Sequence, residues 1–340
     1  MSKSNPFFKD VTVPGTLTKP KLTPYTALRM HMTEDAPDDK EDSDTHKILI
    51  VAGVHGNEHN AVLAAYRLYQ ELKQEPDAKY RNKHDIRFIL GVNKWGLLKN
   101  KREWASRTDV HPDPIPKDKP VDFNRVFTMD HVSGMEKEEA SDIKRLIENA
   151  VASADVVIDV HNSPACDNIV LLNNDEYTAS TIKFLNEIHM PNYMVWESQT
   201  STIKKYAIDH GKTGFTVELG GMTVSRTDAS VMIDQTAFLK TLVNMVDDFM
   251  PKFEKGPVLP PHMLAMPIYA RAYGLIDEVK FSHHVKMKEG EVFATMVTDS
   301  DNPDDAVFKA PCEGSLVACE DTRFVKPGDE IFTWQPDIKL

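Results

Sequence analysis

The stretch Ile48-Leu-Ile-Val-Ala-Gly-Val-His55-Gly-Asn-Glu58 decides the fold of this chain. It begins with a short apolar run rich in β-branched residues, which favours a buried strand. Gly53 and Gly56 allow close backbone approach in the loop that follows, where His55 and Glu58 stand. Imidazole nitrogen and carboxylate oxygen are zinc ligands, and a catalytic zinc uses three protein ligands with a fourth position for water. The stretch therefore predicts a strand end that carries two of three metal ligands.

Two further stretches end in residues of the same kind. Val156-Val-Ile-Asp-Val-His161-Asn162 reads as a buried strand that presents a histidine, and Gly214-Phe-Thr-Val-Glu218-Leu-Gly-Gly221 as one that presents a carboxylate. In open α/β sheets, ligands gather outside the carboxyl ends of the strands. We therefore expect His161 to be the third metal ligand and Glu218 to lie nearby as a base.

Between these strands lies Val121-Asp-Phe-Asn-Arg-Val-Phe127. Its Asn124-Arg125 pair offers an amide and a planar guanidinium to a substrate carboxylate. Asp122 and Asp159 each stand two residues before a site residue, where an extended backbone would place them on the same face. Both are candidates to orient the metal ligands from behind, with capping or surface roles as the ordinary alternative.

The order G-x-H-G-N-E, D-x-N-R-x-F, D-x-H-N and T-x-E-x-G resembles the succinylglutamate desuccinylase and aspartoacylase family, which has a zinc carboxypeptidase-like fold. The resemblance covers roughly positions 46 to 250. It implies one zinc ion per chain, bound by His55, Glu58 and His161. It also implies that Glu218 is the catalytic carboxylate.

The resemblance further implies that Asn124 and Arg125 bind the amino-acid carboxylate of the substrate. Family members carry an arginine before the D-x-N-R motif that polarises the scissile carbonyl. Arg107 is the match we expect in this chain, and Arg102 is its rival. A proline-rich segment, His111 to Pro120, separates both from the motif.

The resemblance implies an amidohydrolase that removes the acyl group from an N-acyl amino acid or a related small amide. Aspartoacylases have K-Y-A-x-x-R before the catalytic glutamate, and their arginine grips the side-chain carboxylate of the substrate. Here the corresponding position is His210. An uncharged histidine cannot replace that permanent charge, so we expect substrates with a neutral or basic side chain to be at least as suitable as N-acetylaspartate.

Three alternatives remain open. A zinc carboxypeptidase acting on short peptides would use the same metal ligands, and a non-catalytic binding protein could share the fold. His55-Gly-Asn-Glu58-His59 also matches H-x-x-E-H, in which both histidines bind metal from one continuous helix. The β-rich run before His55 and the helix-breaking Gly56 favour a junction between strand and helix instead.

Composition restricts the partners more than the reaction. The 340 residues carry a net charge of −12, which argues against a nucleic-acid partner. No apolar run is long enough to cross a bilayer, so we expect no membrane partner and a cytoplasmic location. The expected partner is therefore a small molecule, and a homo-oligomer is possible.

Strand and helix patterns alternate along most of the chain, which predicts an α/β fold with a mixed, largely parallel sheet flanked by helices. The proline-rich segment Pro251 to Pro261 breaks this pattern. Short alternating stretches and turns follow it, which is typical of a smaller all-β domain. We therefore predict a zinc hydrolase domain over residues 1–254 and a C-terminal β domain over 255–340.

Overall fold

A computed structural model describes residues 26–30, 46–74, 84–104, 122–127, 137–163, 168–173, 193–196, 201–220, 229–246, 265–279, 286–298, 300–319 and 324–337. These ranges include the predicted metal ligands His55, Glu58 and His161. The sequence Ser133-Gly-Met-Glu136 has the spacing of a capping box, and the pattern near 179–188 predicts a helix, but both segments lie outside the described residues.

Among the described residues, seven strands form the main sheet, in the order β1-β3-β2-β4-β7-β5-β6. They are β1 (Thr26–Met30), β2 (His46–Ala52), β3 (His84–Leu90), β4 (Val156–Asn162), β5 (Ile169–Asn173), β6 (Tyr193–Trp196) and β7 (Thr213–Leu219). β2 pairs in parallel with both β3 and β4, and β5 pairs in parallel with β6. The edge strand β1 runs antiparallel to β3. The sheet is therefore mixed and largely parallel, as predicted.

The two central strands are apolar because both of their faces are covered. Ile48 to Ala52 of β2 have no exposed surface, and every residue of β4 is buried. Parallel sheets packed on both sides read as continuous apolar runs instead of alternating ones. The apolar runs that predicted buried strands therefore agree with the central position that β2 and β4 occupy in the sheet.

Five α-helices accompany these strands in the described part of the chain. They are α1 (His59–Gln74), α2 (Lys94–Lys99), α3 (Lys137–Ala152), α4 (Ile203–Asp209) and α5 (Ala229–Asn244). None of the described helices is long and apolar enough to cross a membrane.

The register between β2 and β4 determines where the candidate ligands lie. Ala52 at the end of β2 is opposite Val160 of β4. His161 follows Val160 directly, and His55 lies in the loop that follows Ala52. Because the strands are parallel, both histidines emerge at the same edge of the sheet.

The C-terminal strands form two smaller antiparallel sheets, which confirms the predicted all-β character of this region. One has the order β11-β10-β9-β13 and the other β12-β14-β8. The strands are β8 (Met266–Tyr269), β9 (Gly274–Val279), β10 (Val292–Thr298), β11 (Val307–Lys309), β12 (Gly314–Cys319), β13 (Phe324–Val325) and β14 (Glu330–Pro336). Phe293, Phe332 and Trp334 form the aromatic centre of their core.

The chain divides into two compact units. The first contains Met1–Asn162, Gln199–Val217 and Val224–Pro251, and the second contains Ser163–Ser198, Glu218–Thr223 and Lys252–Leu340. The predicted boundary between residues 254 and 255 falls within 247–264, outside the described residues, and stays a prediction.

Burial of β2 generates a stability prediction. Leu49 in β2 has no exposed surface, whereas Leu98 in α2 is 59% exposed. We expect Leu49→Ala to lower the free energy of unfolding by about 2–5 kcal/mol, because it removes buried methyl groups and leaves a cavity. The same change at Leu98 should cost less than about 0.5 kcal/mol. Urea unfolding of both variants measures this, and equal losses would contradict the buried position of β2.

Candidate metal centre

A sharp turn after β2 delivers His55 to the edge of the sheet. Gly53 has a φ of 81°, in the left-handed region that favours glycine. A Cβ atom at this position would also lie 2.7 Å from Cγ2 of Val62 and 3.0 Å from Cα of Gly91. Both the backbone angle and the packing therefore require glycine here.

Gly56 brings a second segment to the same place. A Cβ atom on Gly56 would lie 2.2 Å from the carbonyl carbon of Gly96. The Gly56 N–H also donates to the carbonyl oxygen of Arg102 at 3.2 Å. The loop that contains His55 and Glu58 is therefore packed directly against the segment that carries Arg102.

The three predicted metal ligands meet. His55 Nδ1 lies 2.7 Å from Glu58 Oε1, and His161 Nδ1 lies 2.8 Å from Glu58 Oε2. The two Nδ1 atoms are 3.1 Å apart. All three residues are buried, with at most 4% of their surface exposed. One ligand atom from each residue thus converges on a single small volume.

A carboxylate supports each histidine from the other side of its ring. His55 Nε2 lies 2.9 Å from Oδ1 of Asp122, and His161 Nε2 lies 3.1 Å from Oδ2 of Asp159. A proton on each Nε2 would donate to the carboxylate and leave the Nδ1 lone pair directed at the cluster. The predicted positions of Asp122 and Asp159 behind the ligands match this geometry.

Glu58 and His161 shift each other's pKa in opposite directions. Burial alone would raise the pKa of Glu58, but the charge of His161 and hydrogen bonds from both histidines lower it to about 2. Burial alone would lower the pKa of His161, but the charges of Asp159 and Glu58 raise it well above its ordinary value. The surrounding carboxylates therefore favour positive charge at the cluster, which is the sign that a metal cation brings.

Asp122 and His55 also shift each other's pKa in opposite directions. Burial opposes ionisation of both, yet their mutual hydrogen bond raises the pKa of His55 and holds the pKa of Asp122 well below its usual range. Arg102 adds to the lowering at Asp122. Asp122 is thus held as a carboxylate.

The structure uses the Asn124 side chain inside the protein. Asn124 and Arg125 belong to a short 3₁₀ helix, Phe123–Arg125. The Asn124 amide is 3% exposed and donates to Asp159 Oδ2 at 3.0 Å, while its oxygen accepts from the Ile203 N–H at 3.0 Å. Arg125 is half-buried and donates from Nη1 to the backbone oxygen of Asn124. Of the two residues predicted to bind the substrate carboxylate, Arg125 is the more accessible.

The rival arginine, Arg102, lies beside the cluster. Its guanidinium is 3.3 Å from Glu58 Oε1 and 3.3 Å from Asp122 Oδ2, and 46% of its side chain is exposed. Arg107, the match expected from the sequence, lies outside the described residues. Of these two rivals, Arg102 is the one that the described residues place beside the cluster.

Glu218 occupies the position in β7 that His161 occupies in β4. Each is the penultimate residue of its strand, and the two strands are neighbours in the sheet order. Glu218 is half-buried, in contrast to the fully buried cluster ligands. Its assignment as the catalytic base stays a prediction.

His59 and His210 lie outside the cluster and contact other groups. His59 is the first residue of α1 and its Nε2 donates to the carbonyl oxygen of Leu97 at 2.7 Å. His55 precedes that helix, so the two histidines do not share the continuous helix that the inverted motif requires. His210 caps the end of α4, is exposed, and donates from Nδ1 to the carbonyl oxygen of Tyr206.

Sequence reasoning missed the contact between α4 and Asn124. Thr202 caps α4 by accepting from the Lys205 N–H, and the next residue, Ile203, reaches Asn124. A threonine before a helical stretch is a recognisable start signal. It indicates where the helix begins but not what its first N–H contacts.

The donor set fits zinc. Two imidazole nitrogens and one carboxylate are the ligands of many catalytic zinc sites. Ligand atoms around a tetrahedral zinc lie roughly 3.3 Å apart, given bonds of about 2.0–2.1 Å. The separations of 2.7–3.1 Å within the cluster are close to that spacing. The fold and this cluster define an α/β protein with a candidate metal centre at the carboxyl edge of its sheet.

Comparison with known proteins agrees with this class. The succinylglutamate desuccinylase/aspartoacylase catalytic domain matches residues 44–244, which is more than half of the chain. The chain belongs to this family, whose members are deacylase and aspartoacylase enzymes. No curated protein matches it by sequence.

Several solved structures share the fold. An aspartoacylase family protein from Mesorhizobium loti superposes with a TM-score of 0.57 at 18% identity, with 87% of each chain covered. A succinylglutamate desuccinylase from a Silicibacter species gives 0.55 at 15% identity, with 86% of this chain and 85% of that chain covered. A product-bound ectoine utilization protein from Ruegeria pomeroyi gives 0.56 at 15% identity, with 86% of each chain covered.

The different surroundings of His161 and His59 generate a prediction. His161→Ala should abolish tight binding of a divalent metal, because it removes one of three ligand atoms. His59→Ala should retain metal, because that ring contacts Leu97 instead. Metal content after equilibration with Zn²⁺ and gel filtration distinguishes the two, and loss of metal in His59→Ala alone would favour the inverted motif.

Proposed function

We propose that this chain is a zinc-dependent amidohydrolase that removes the acyl group from an N-acyl amino acid or a related small amide by attack of water. The buried convergence of His55, Glu58 and His161 is the observation that carries the proposal. Membership of the deacylase family supports the reaction class.

A zinc ion held by these three residues would lower the pKa of a bound water to about 7 and polarise an amide carbonyl. The protein contributes orientation. Asp122 and Asp159 hold the Nε2 sides of the two imidazoles, so that both Nδ1 atoms face the same point. Ligands fixed in this way need little rearrangement when substrate arrives.

Glu218 acts as the general base in this proposal. It takes a proton from the attacking water and later hands it to the nitrogen of the leaving amine. A carboxylate at the penultimate position of β7, half-buried rather than sealed in the core, suits a group that must meet water and substrate.

Arg102 stabilises the carbonyl oxygen as negative charge develops on it. It is a permanently charged donor, and its guanidinium already lies 3.3 Å from a ligand oxygen of Glu58. With nearly half of its side chain exposed, it can turn toward a substrate without leaving a buried charge unpaired. We therefore assign to Arg102 the role that the sequence resemblance first suggested for Arg107.

Arg125 binds the amino-acid carboxylate of the substrate. It stands on the same short 3₁₀ helix as Asn124, next to the residue whose amide reaches Asp159. A guanidinium fork recognises a carboxylate through two parallel hydrogen bonds. This contact would place the scissile amide relative to the metal centre.

The identity of residue 210 affects which substrate side chains the protein would accept. It lies about 10 Å along α4 from Ile203, given the rise of an α-helix, and its exposed ring is tied to Tyr206. Unlike the arginine that the resembled family has at this position, a histidine carries no permanent charge. The proposal accordingly favours N-acyl derivatives of neutral or basic amino acids over N-acetylaspartate.

The reaction is tested with a panel of N-acyl amino acids and dipeptides, with release of free amine as the readout. We expect the wild-type protein to hydrolyse N-acyl amino acids. Glu218→Gln should lower kcat by about 10²–10⁴-fold while metal content is unchanged, because only the base is removed. Glu148→Gln, a change of the same kind at an ion pair on α3, should leave kcat unchanged.

Near-normal turnover by Glu218→Gln would remove this residue from the mechanism. Cleavage of dipeptides without cleavage of any N-acyl amino acid would indicate a carboxypeptidase. Absence of hydrolysis across the panel by metal-loaded protein would contradict the proposed function.

The two arginines generate a separate prediction. Arg102→Ala should lower kcat by about 10²–10³-fold, because it removes a donor to the developing oxyanion. Arg107→Ala should change kcat by less than about threefold. Steady-state kinetics of the two variants on one substrate measures this difference. The reverse ranking would return the role to Arg107.

A further inference from the structure

We infer that the outer face of the four-stranded C-terminal sheet is an interface between two copies of this chain. This face carries an exposed apolar row, which we call the outer row, made of Tyr273, Leu275, Val297 and Phe324. None of these residues has a part in the proposed hydrolysis, so the interface and the activity can be tested separately.

The strand register makes the outer row continuous. Val297 of β10 lies opposite Leu275 of β9, and Leu275 lies opposite Phe324 of β13. Side chains directly opposite each other on neighbouring strands share a face, with Cβ atoms about 4.5–5.5 Å apart. Tyr273 stands two residues before Leu275 and therefore falls on the same face. The four side chains thus form one patch across three strands.

The inner face of the same sheet is already occupied by a core. Met296 and Val325, which adjoin the row in sequence, are at most 4% exposed and belong to the core of the C-terminal strands. An antiparallel sheet with one face on a core ordinarily carries polar residues on the other face. Here the side chains of the outer row are apolar or aromatic and 47–65% exposed. The row therefore departs from the pattern of a sheet whose second face only meets water.

Exposed apolar surface is concentrated at this row. Of the seven large apolar side chains that are exposed among the described residues, four belong to it, and Leu98, Ile233 and Tyr269 lie on other elements. Single exposed apolar residues are ordinary, whereas a contiguous patch marks a binding surface.

The size of the outer row suits the centre of a protein interface. Its four side chains expose on the order of 400 Å² in total, given about 150–250 Å² for a whole aromatic side chain. Each partner contributes roughly 800 Å² to a standard interface, which has an apolar core and a polar rim. The row would therefore supply about half of one side, and charged residues around it would supply the rim.

Opposite charges stand at the two ends of the outer row. Asp277 follows Leu275 by two residues along β9. Lys326 follows Phe324 by two residues, and it lies at the Tyr273 end because β13 runs antiparallel to β9. Both are exposed, and neither side chain has a hydrogen bond or an ion pair in the described part of the chain. The row thus has a positive end and a negative end.

This arrangement is complementary to itself. A two-fold axis that crosses the strands reverses one copy relative to the other, so the positive end of each row meets the negative end of the second row. Lys326 of one copy then faces Asp277 of the other, and the contact occurs twice. The apolar side chains between these ends would interdigitate face to face, as in two packed β-sheets.

Other classes of partner match this surface less well. An anionic membrane or a nucleic acid requires several cations around the contact. At the outer row one lysine is balanced by one aspartate, and the chain carries a net charge of −12. A second copy of the chain is therefore the occupant that the charges favour.

Sedimentation velocity of the full chain, from low to high micromolar concentration, measures the association. Wild-type protein should form a dimer whose fraction rises with concentration. Leu275→Glu places a charge at the centre of the row and should raise the dimer Kd by at least about 30-fold. The matched control is Ile233→Glu on α5, where the side chain is 56% exposed, and it should leave Kd within about twofold of wild type.

Charge reversal tests how the two copies are oriented. Lys326→Glu and Asp277→Lys should each raise the dimer Kd by about 3–10-fold at low salt, because each places like charges opposite one another. The double variant should return Kd to within about twofold of wild type, since opposite charges meet again. Circular dichroism verifies that every variant is folded, and Val297→Glu carries the test if Leu275→Glu does not fold.

Wild-type protein that stays monomeric over the whole range would overturn the inference and leave the outer row to a different partner. A dimer that folded Leu275→Glu leaves intact, or that Ile233→Glu breaks equally, would also overturn it, because the contact would then lie elsewhere. Failure of the double variant to recover would contradict the pairing of Lys326 with Asp277. Loss of the dimer in Leu275→Glu, with recovery in the double variant, would support the interface even if the protein hydrolysed no member of the panel.

Discussion

The buried contact of two imidazoles with one carboxylate is the constraint on which the rest of this structure depends. His55, Glu58 and His161 lie within hydrogen-bond distance of one another and are almost fully buried. Burying ionisable groups is costly unless each has a partner of opposite charge or a hydrogen bond. Asp122 and Asp159 behind the two rings meet that requirement.

Several features of the fold bring residues to this cluster. Parallel pairing of β2 with β4 brings two histidines that are 106 residues apart to one edge. Gly53 turns the chain out of β2, and Gly56 admits the segment that carries Arg102. The start of α4 reaches the same edge through Asn124. Elements from four parts of the first unit thus converge on one cluster.

Local sequence patterns predicted the strands and the candidate ligands at their ends. The apolar runs before His55 and His161 predicted β2 and β4, because a strand covered on both faces must be apolar throughout. The stretch before Glu218 predicted β7. Ligand residues at the ends of β2 and β4 then predicted the candidate metal centre. The alternating segment His84–Leu90 was not recognised, although it forms β3 beside β2.

What the sequence could not supply were contacts between distant side chains. The contacts of Arg102 with Glu58 and Asp122 depend on how one loop packs against Gly56, which no motif encodes. The engagement of Asn124 depends on Ile203, 79 residues away. His210 corresponds to an arginine of the resembled family. Its position at the end of α4 depends on where that helix stops, which the correspondence does not indicate.

The most direct test of the central claim is X-ray absorption at the zinc edge on the zinc-loaded protein. The account predicts a first shell of nitrogen and oxygen only, at about 2.0–2.1 Å, with outer-shell scattering from two imidazoles. A sulfur ligand near 2.3 Å, or scattering from fewer or more than two imidazoles, would contradict a centre built from His55, Glu58 and His161.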